Sequence, residues 1–252
     1  MNVPHHPSYP NPTIVEAVCD IRYEPVPGRA WKASLPGELF KEIQGTYPEM
    51  EFGLETALEF QFGPGGITQR MMPGKQRARF KHAREPVLLQ FAENLLAVSV
   101  LPKYSGWAGM RSVILEVWSQ AKPILGPAKI VRLGLRYINR IEREFPDQKP
   151  SVWLRATRYV APAVLSSAPG FLSRVESRSE GDLVIVTLGE AEAGAGSGAP
   201  LVFDIDSISE RSLSPEDGTL SAEIDRLHEN VWNIFSEAKT EKLDALLNRR
   251  EG

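Results

Sequence analysis

The strongest constraint on this chain is a strand that occurs twice. Residues 14–25 read IVEAVCDIRYEP and residues 130–142 read IVRLGLRYINRIE. Ile14-Val15 matches Ile130-Val131, Arg22-Tyr23 matches Arg136-Tyr137, and LEVWSQAK ending at Lys122 matches NVWNIFSEAK ending at Lys239. The offsets are 116, 114 and 117 residues, in one order along the chain. Chance similarity between amphipathic elements is the competing explanation. A repeat of this length sets the frame within which all other elements are read.

In the first copy Val15, Ala17, Cys19, Ile21 and Tyr23 alternate with Glu16, Val18, Asp20 and Arg22, the period-two signature of a strand with one buried face. Pro25, Pro27 and Gly28 end it. Leu35, Leu39 and Ile43 in 31–47 have helical spacing, with Ser34 as N-cap and Pro36 in the first turn. Short strand-like runs then follow: LETALEFQF, ITQRMM, KQRARFKH, PVLLQF and LLAVSVL. They are split by GPGG, by a Pro-Gly turn and by Ala92-Glu93-Asn94, the pattern of an antiparallel meander. A helix over 105–122 shows Met110, Val113, Val117 and Ala121 as one stripe, and Gly126-Pro127 breaks it.

From Ile130 the scheme restarts. A long strand is followed by a short helix or irregular segment at 150–158. Strands follow at 171–179, 182–189 and 200–208, the last two joined by the small-residue linker GEAEAGAGSGAP. A helix over 218–248 carries the stripe Leu220, Ile224, Leu227, Val231, Ile234, Phe235 and Ala238. The expected class is therefore α+β. An irregular arm (1–12) precedes two pseudo-repeated halves (13–127 and 128–252), each strand, helix, meander, helix. Their first strands would join into one continuous twisted antiparallel sheet, with the helices on one face. That order is similar to the TATA-binding-protein saddle and to helix-grip folds, an analogy of fold that carries no function.

If the first strands are neighbours, the acids Glu16 and Asp20 face Arg132, Arg136 and Arg140. Cross-strand ion pairs would then fix the register, at about 0.2–1 kcal/mol each.

The segments YPNPTIVEAVCDIRYEP, LLQFAENLLAVSVLPKYSGWAGM, IVRLGLRYINRIE and LHENVWNIFSEAKTEKL together resemble a sporadically distributed bacterial family of uncharacterised proteins of about this length. The similarity runs from about residue 8 to 247, and the PxIVEA start and RxGxRYINRI middle are its most specific parts. The resemblance implies a soluble bacterial protein and adds no catalytic residues.

The bulk properties exclude some classes. Net charge is −3, so the chain is not a generally basic nucleic-acid protein, although a local basic patch is compatible with it. One cysteine, Cys19, makes no internal disulfide, and a reducing cytoplasm is expected. The N-terminal residues lack an apolar signal core, and no run suits a membrane span.

Chemistry-bearing motifs are sparse. MPGKQ lacks the spacing of a phosphate loop, and GAGSGA at 194–199 opens no helix, so it reads as a hairpin tip. His5, His6, His82 and His228 lack ligand spacing, so no metal or cofactor is expected. Cys19 falls on the apolar face and reads as core. Asp204 and Asp206 share a face about 7 Å apart, compatible with a hard cation or with a wet strand face.

The most suggestive local feature is residues 69–84, QRMMPGKQRARFKHAR, where Arg70, Lys75, Arg77, Arg79 and Lys81 cluster with no acid. Lys75, Arg77, Arg79 and Lys81 would share one strand face. Phosphate contact is one reading; a solvated edge balanced by acids such as Glu55 and Glu59 is the other.

Three functions follow in order. The first is a non-enzymatic binding module for a protein or small ligand, using the open sheet face or a groove between the halves. The second is a nucleic-acid binder using 69–84 with Arg132, Arg136 and Arg140. The third is an enzyme whose site assembles Arg136, Asn139 and Asp206. The sequence specifies no oligomeric state; a homodimer is compatible with it.

Overall fold

The structure is a computed structural model that describes residues 6–29, 31–63, 66–145, 147–166, 170–191 and 199–249, with backbone alone for 54–63 and 66–76. The strands are β1 (Ile14–Pro25), β2 (Glu49–Gly63), β3 (Gly66–Lys81), β4 (Val87–Ala92), β5 (Leu95–Val100), β6 (Pro127–Ile141), β7 (Leu172–Ser179), β8 (Asp182–Glu190) and β9 (Leu201–Ser209). The helices are α1 (Leu35–Ile43), α2 (Trp107–Leu125), α3 (Pro162–Leu165), α4 (Asp217–Ala238) and α5 (Glu241–Leu247), with a 3-10 turn at Pro150–Val152.

All nine strands form one antiparallel sheet in the order β2-β3-β4-β5-β1-β6-β9-β8-β7. β1 and β6 lie side by side at its centre, with Ala17 opposite Tyr137, Cys19 opposite Leu135 and Asp20 opposite Gly134. Outward from β1 the neighbours run β5, β4, β3, β2; outward from β6 they run β9, β8, β7.

Period-two alternation decides which side chains reach the core. Ala17, Cys19 and Ile21 of β1, Leu133, Leu135 and Ile141 of β6 and Phe203 and Ile205 of β9 are all fully buried. They share one apolar cluster with Leu39 of α1, Ile114 and Trp118 of α2 and Leu227 and Val231 of α4. Burial pushes the Cys19 thiol well up, so it is an inert core group.

α2 is tied to α4 by polar contacts over the core. Arg111 Nε donates to Asp225 Oδ1 at 2.8 Å and Trp107 Nε1 donates to the same oxygen at 3.2 Å. Trp118 Nε1 donates to the Pro215 carbonyl at 3.0 Å. Left-handed Gly126 (φ 56°) ends α2 and hands the chain to β6.

The structure departs from the sequence reading in two places. The expected Pro-Gly turn at 73–74 does not form: β3 runs through it, with Thr56 opposite Pro73 beside a register shift. β4 reaches β3 only at Ala78–Lys81, so no second strand needs a proline N–H there. The single final helix is two, because Thr240 caps α5 by accepting from Leu243 N and donates to the carbonyls of Val152 and Trp153. The segment at 150–158 is a 3-10 turn followed by irregular chain, as expected, and four-residue α3 lies just beyond it.

Candidate functional site

The face of the sheet away from the helices carries the charges singled out in the sequence. Arg132 donates to Asp20, and Arg22 stands 3.5 Å from the same carboxylate. A Cβ at Gly134 would overlap Asp20 Oδ1, so glycine is what allows that carboxylate to lie across the neighbouring strand. Arg136 makes a two-pronged contact with Asp204, at 2.9 and 2.6 Å, rather than with Glu16 or Asp20. Arg140 pairs with Glu142 at 2.7 Å. The reason is strand order: β9 borders β6 as closely as β1 does, and Asp204 comes within reach of the fork.

Asp206 stands opposite Arg136, and its Oδ1 is buried with no hydrogen-bond partner. Burial first, then the nearby Asp20 charge, pushes this carboxyl up to about 6.

The basic hairpin presents Arg77, Arg79 and Lys81 beside β2 and β4. Lys81 lies 3.7 Å from Glu49 and 3.4 Å from Glu51, and Arg77 donates to Gln90 at 3.3 Å. The side chains of Arg70, Lys75, Glu55 and Glu59, and the glycine-rich linker at 192–198, lie outside the described residues. His82 accepts from the N–H groups of Arg84 and Glu85 and so closes a turn.

The enzyme grouping does not assemble. Arg136 and Asp206 share the open face, but Asn139, three residues on, points to the opposite one and is buried. There Asn139 accepts from Thr13 Oγ1 at 3.0 Å and donates to the Phe203 carbonyl at 3.2 Å.

Asn139 opens onto a different site: a cavity of about 220 Å³ on the helix side. Its floor is Tyr137 and Asn139 of β6. One wall is His228, Val231, Trp232 and Phe235 of α4, whose spacing of three, four and seven puts them on one helical face. Another is Tyr104 and the start of α2 at Trp107, entered through Gly106 at φ 94°.

The arm closes the remaining side. His6 stacks on Trp232 at 4.5 Å and its Nε2 lies 2.7 Å from Glu229. Lys239 donates to Tyr9 Oη at 2.8 Å, and Asn11 is fixed to the carbonyls of Leu246 and Leu247.

The polar atoms of the cavity are few. His228 is 6% exposed, its ring stacks on Trp107 at 4.2 Å, and its Nδ1 has no hydrogen-bond partner. Burial, then the nearby His6, drives its pKa down to about 3, so the imidazole is neutral at pH 7. Tyr104 and Tyr137 share a hydrogen bond of 2.9 Å, and Tyr137 Oη lies 3.6 Å from Met110 Sδ. Burial holds both phenols protonated. No Asp, Glu, Lys or Arg among the described residues lines the cavity.

Of the binding candidates flagged in the sequence whose side chains are described, only Asn139 reaches this cavity. His6, Tyr104, Tyr137 and Trp232 meet there from distant segments. His228 alone had a local signal, since it lies four residues after Ile224 and three before Val231, on the buried stripe. Among the described residues no group of three or more His, Cys, Asp or Glu side chains is placed to hold a metal. No helix of the described residues is long and apolar enough to cross a membrane. No family model and no curated protein matches the chain.

Proposed function

We propose that this protein is a non-enzymatic binding module whose ligand is a small organic molecule, held in the cavity between α2, α4 and the N-terminal arm. The observation that carries this reading is the cavity itself. It is largely apolar and aromatic, with a nine-tenths-buried histidine whose ring nitrogen lacks a partner. Apolar concavity with a few convergent polar groups is the usual form of a small-ligand site. An unsatisfied buried nitrogen costs stability, and a bound group can relieve that cost.

The same reading treats the chain as two related halves. The strand order outward from the centre supports it: in each half the last strand returns beside the first, and a long helix closes the unit. The cavity then lies in the groove between the halves, since α2 belongs to one and α4 to the other. The nucleic-acid reading is disfavoured because Lys81, Arg132 and Arg136 already face acids, which lowers the free positive charge available to phosphates.

Saturation-transfer NMR with uncharged fragments of one or two rings tests the proposal. Fragments should bind the native protein and be excluded by Val231→Phe, which fills the cavity from α4. Absence of any fragment binding, or equal binding to Val231→Phe, would overturn it.

A further inference from the structure

The geometry points to a ligand class for this cavity: an uncharged aromatic molecule of one or two rings that carries a hydroxyl group. The inference rests on the cavity being a ligand site and goes on to say what enters it.

Size sets the first limit. An apolar cavity of about 150 Å³ accepts benzene. The 220 Å³ here leaves room for a substituted ring or a fused pair, and not for a long acyl chain or a nucleotide.

Charge sets the second limit. The lining offers no carboxylate, ammonium or guanidinium among the described residues. His6, Tyr9 and Trp107 of the wall do have charged neighbours, Glu229, Lys239 and Asp225, but all three of these lie outside the lining. A charged ligand would lose its hydration here without gaining a counter-charge.

Hydrogen-bond accounting sets the third. Tyr137 has one hydroxyl proton, which goes either to Met110 Sδ or to the Tyr104 oxygen. Either phenol can supply the proton of the Tyr104–Tyr137 bond, so the pair offers a ligand an acceptor oxygen and, when Tyr137 is the donor, the Tyr104 O–H as well. A neutral imidazole offers one N–H donor and one acceptor, and the His228 ring lies 5.9 Å from that of Tyr137. A hydroxyl both donates and accepts, so it meets the phenol pair and the unpartnered His228 nitrogen in either proton arrangement. An ether or ketone only accepts, and an ammonium only donates. The aromatic walls of Trp107, Trp232 and Tyr104 favour a flat ring carrying that hydroxyl over an aliphatic alcohol.

The test is a set of matched probes: 4-methylphenol, toluene, cyclohexanol, benzoate and benzylamine, titrated by saturation-transfer NMR or calorimetry. 4-Methylphenol should bind about tenfold more tightly than toluene, the effect of one well-placed hydrogen bond. Benzoate and benzylamine should not compete with it. His228→Phe keeps the stack on Trp107 and should erase the preference of 4-methylphenol over toluene while toluene still binds. Tyr104→Phe is the second variant and should do the same. Equal affinity for 4-methylphenol and toluene, or tighter binding of either charged probe, overturns the inference and leaves the cavity reading standing. If no probe binds and Val231→Phe changes nothing, both fall.

Discussion

The two faces of β6 do opposite things with their polar side chains. On the open face, Arg132 and Arg136 meet Asp20 and Asp204 side by side, partly in water, and the charges are matched. On the helix face, Tyr137 and Asn139 border a space whose lining carries no Asp, Glu, Lys or Arg among the described residues, and each is held by a specific partner. Residues one position apart on a strand therefore live in different dielectrics. The charged face is visible in the sequence, and there Asp20, Arg132, Arg136 and Asp204 are paired while Asp206 Oδ1 has no hydrogen-bond partner. The face that encloses a cavity is the neutral one.

The largest contrast should come from packing. Trp118→Ala on the helix side empties a fully buried indole site and strands the Pro215 carbonyl; a loss of about 3–5 kcal/mol is expected by urea denaturation. A loss below about 1 kcal/mol would mean that the helix layer is not the core.

Next comes acid sensitivity, where the faces should differ in sign. The folded-state pKa of His228 is depressed from 6.5 to about 3. The stability it contributes is complete above about pH 6.5 and is lost as pH falls toward 3, at most about 3 kcal/mol between pH 7 and 4. His228→Gln should flatten that part of the stability–pH curve. An unchanged acid slope in the variant would remove His228 as its source.

Asp206 should behave in the opposite way. Its pKa is raised from 3.8 to about 6, so its contribution is present below about pH 4 and is lost as pH rises through 6. Asp206→Asn should be more stable than the native protein at pH 8 by about 1–3 kcal/mol, with the gain vanishing near pH 4. A variant destabilised at pH 8 would show that the carboxylate is held by a partner after all.

The smallest effect belongs to the surface pair. Arg136→Gln removes the fork on Asp204, but the arginine side chain is 46% exposed; about 0.2–1 kcal/mol should be lost, and less in high salt. A larger, salt-independent loss would make the open face a structural element in its own right.

Much of the scaffold was readable from pattern. The alternation in IVEAVCDIRYEP gave β1 and its buried face, and the stripe from Leu220 to Ala238 gave α4. Local chemistry was misread where tertiary context overrode it. Pro73-Gly74 signals a turn, yet lies within a strand whose next neighbour stops short of it. Thr240 looks like helix interior, yet its hydroxyl finds the carbonyls of Val152 and Trp153 and ends the helix. The cavity was the least legible part. His6 and His228 are separated by more than two hundred residues and have ring centroids 5.4 Å apart, a proximity no local spacing encodes.

By itself, then, the sequence determined the elements, their buried faces and the balance of charge, because periodicity and residue type act within a few residues of one another. Only the tertiary structure decided that β9, not β1, supplies the partner of Arg136. It alone decided that Asn139 turns away from the arginines, and that an arm, a loop and two helices enclose a neutral imidazole. Those outcomes depend on which strands become neighbours and which segments cross them, and long-range packing sets that order.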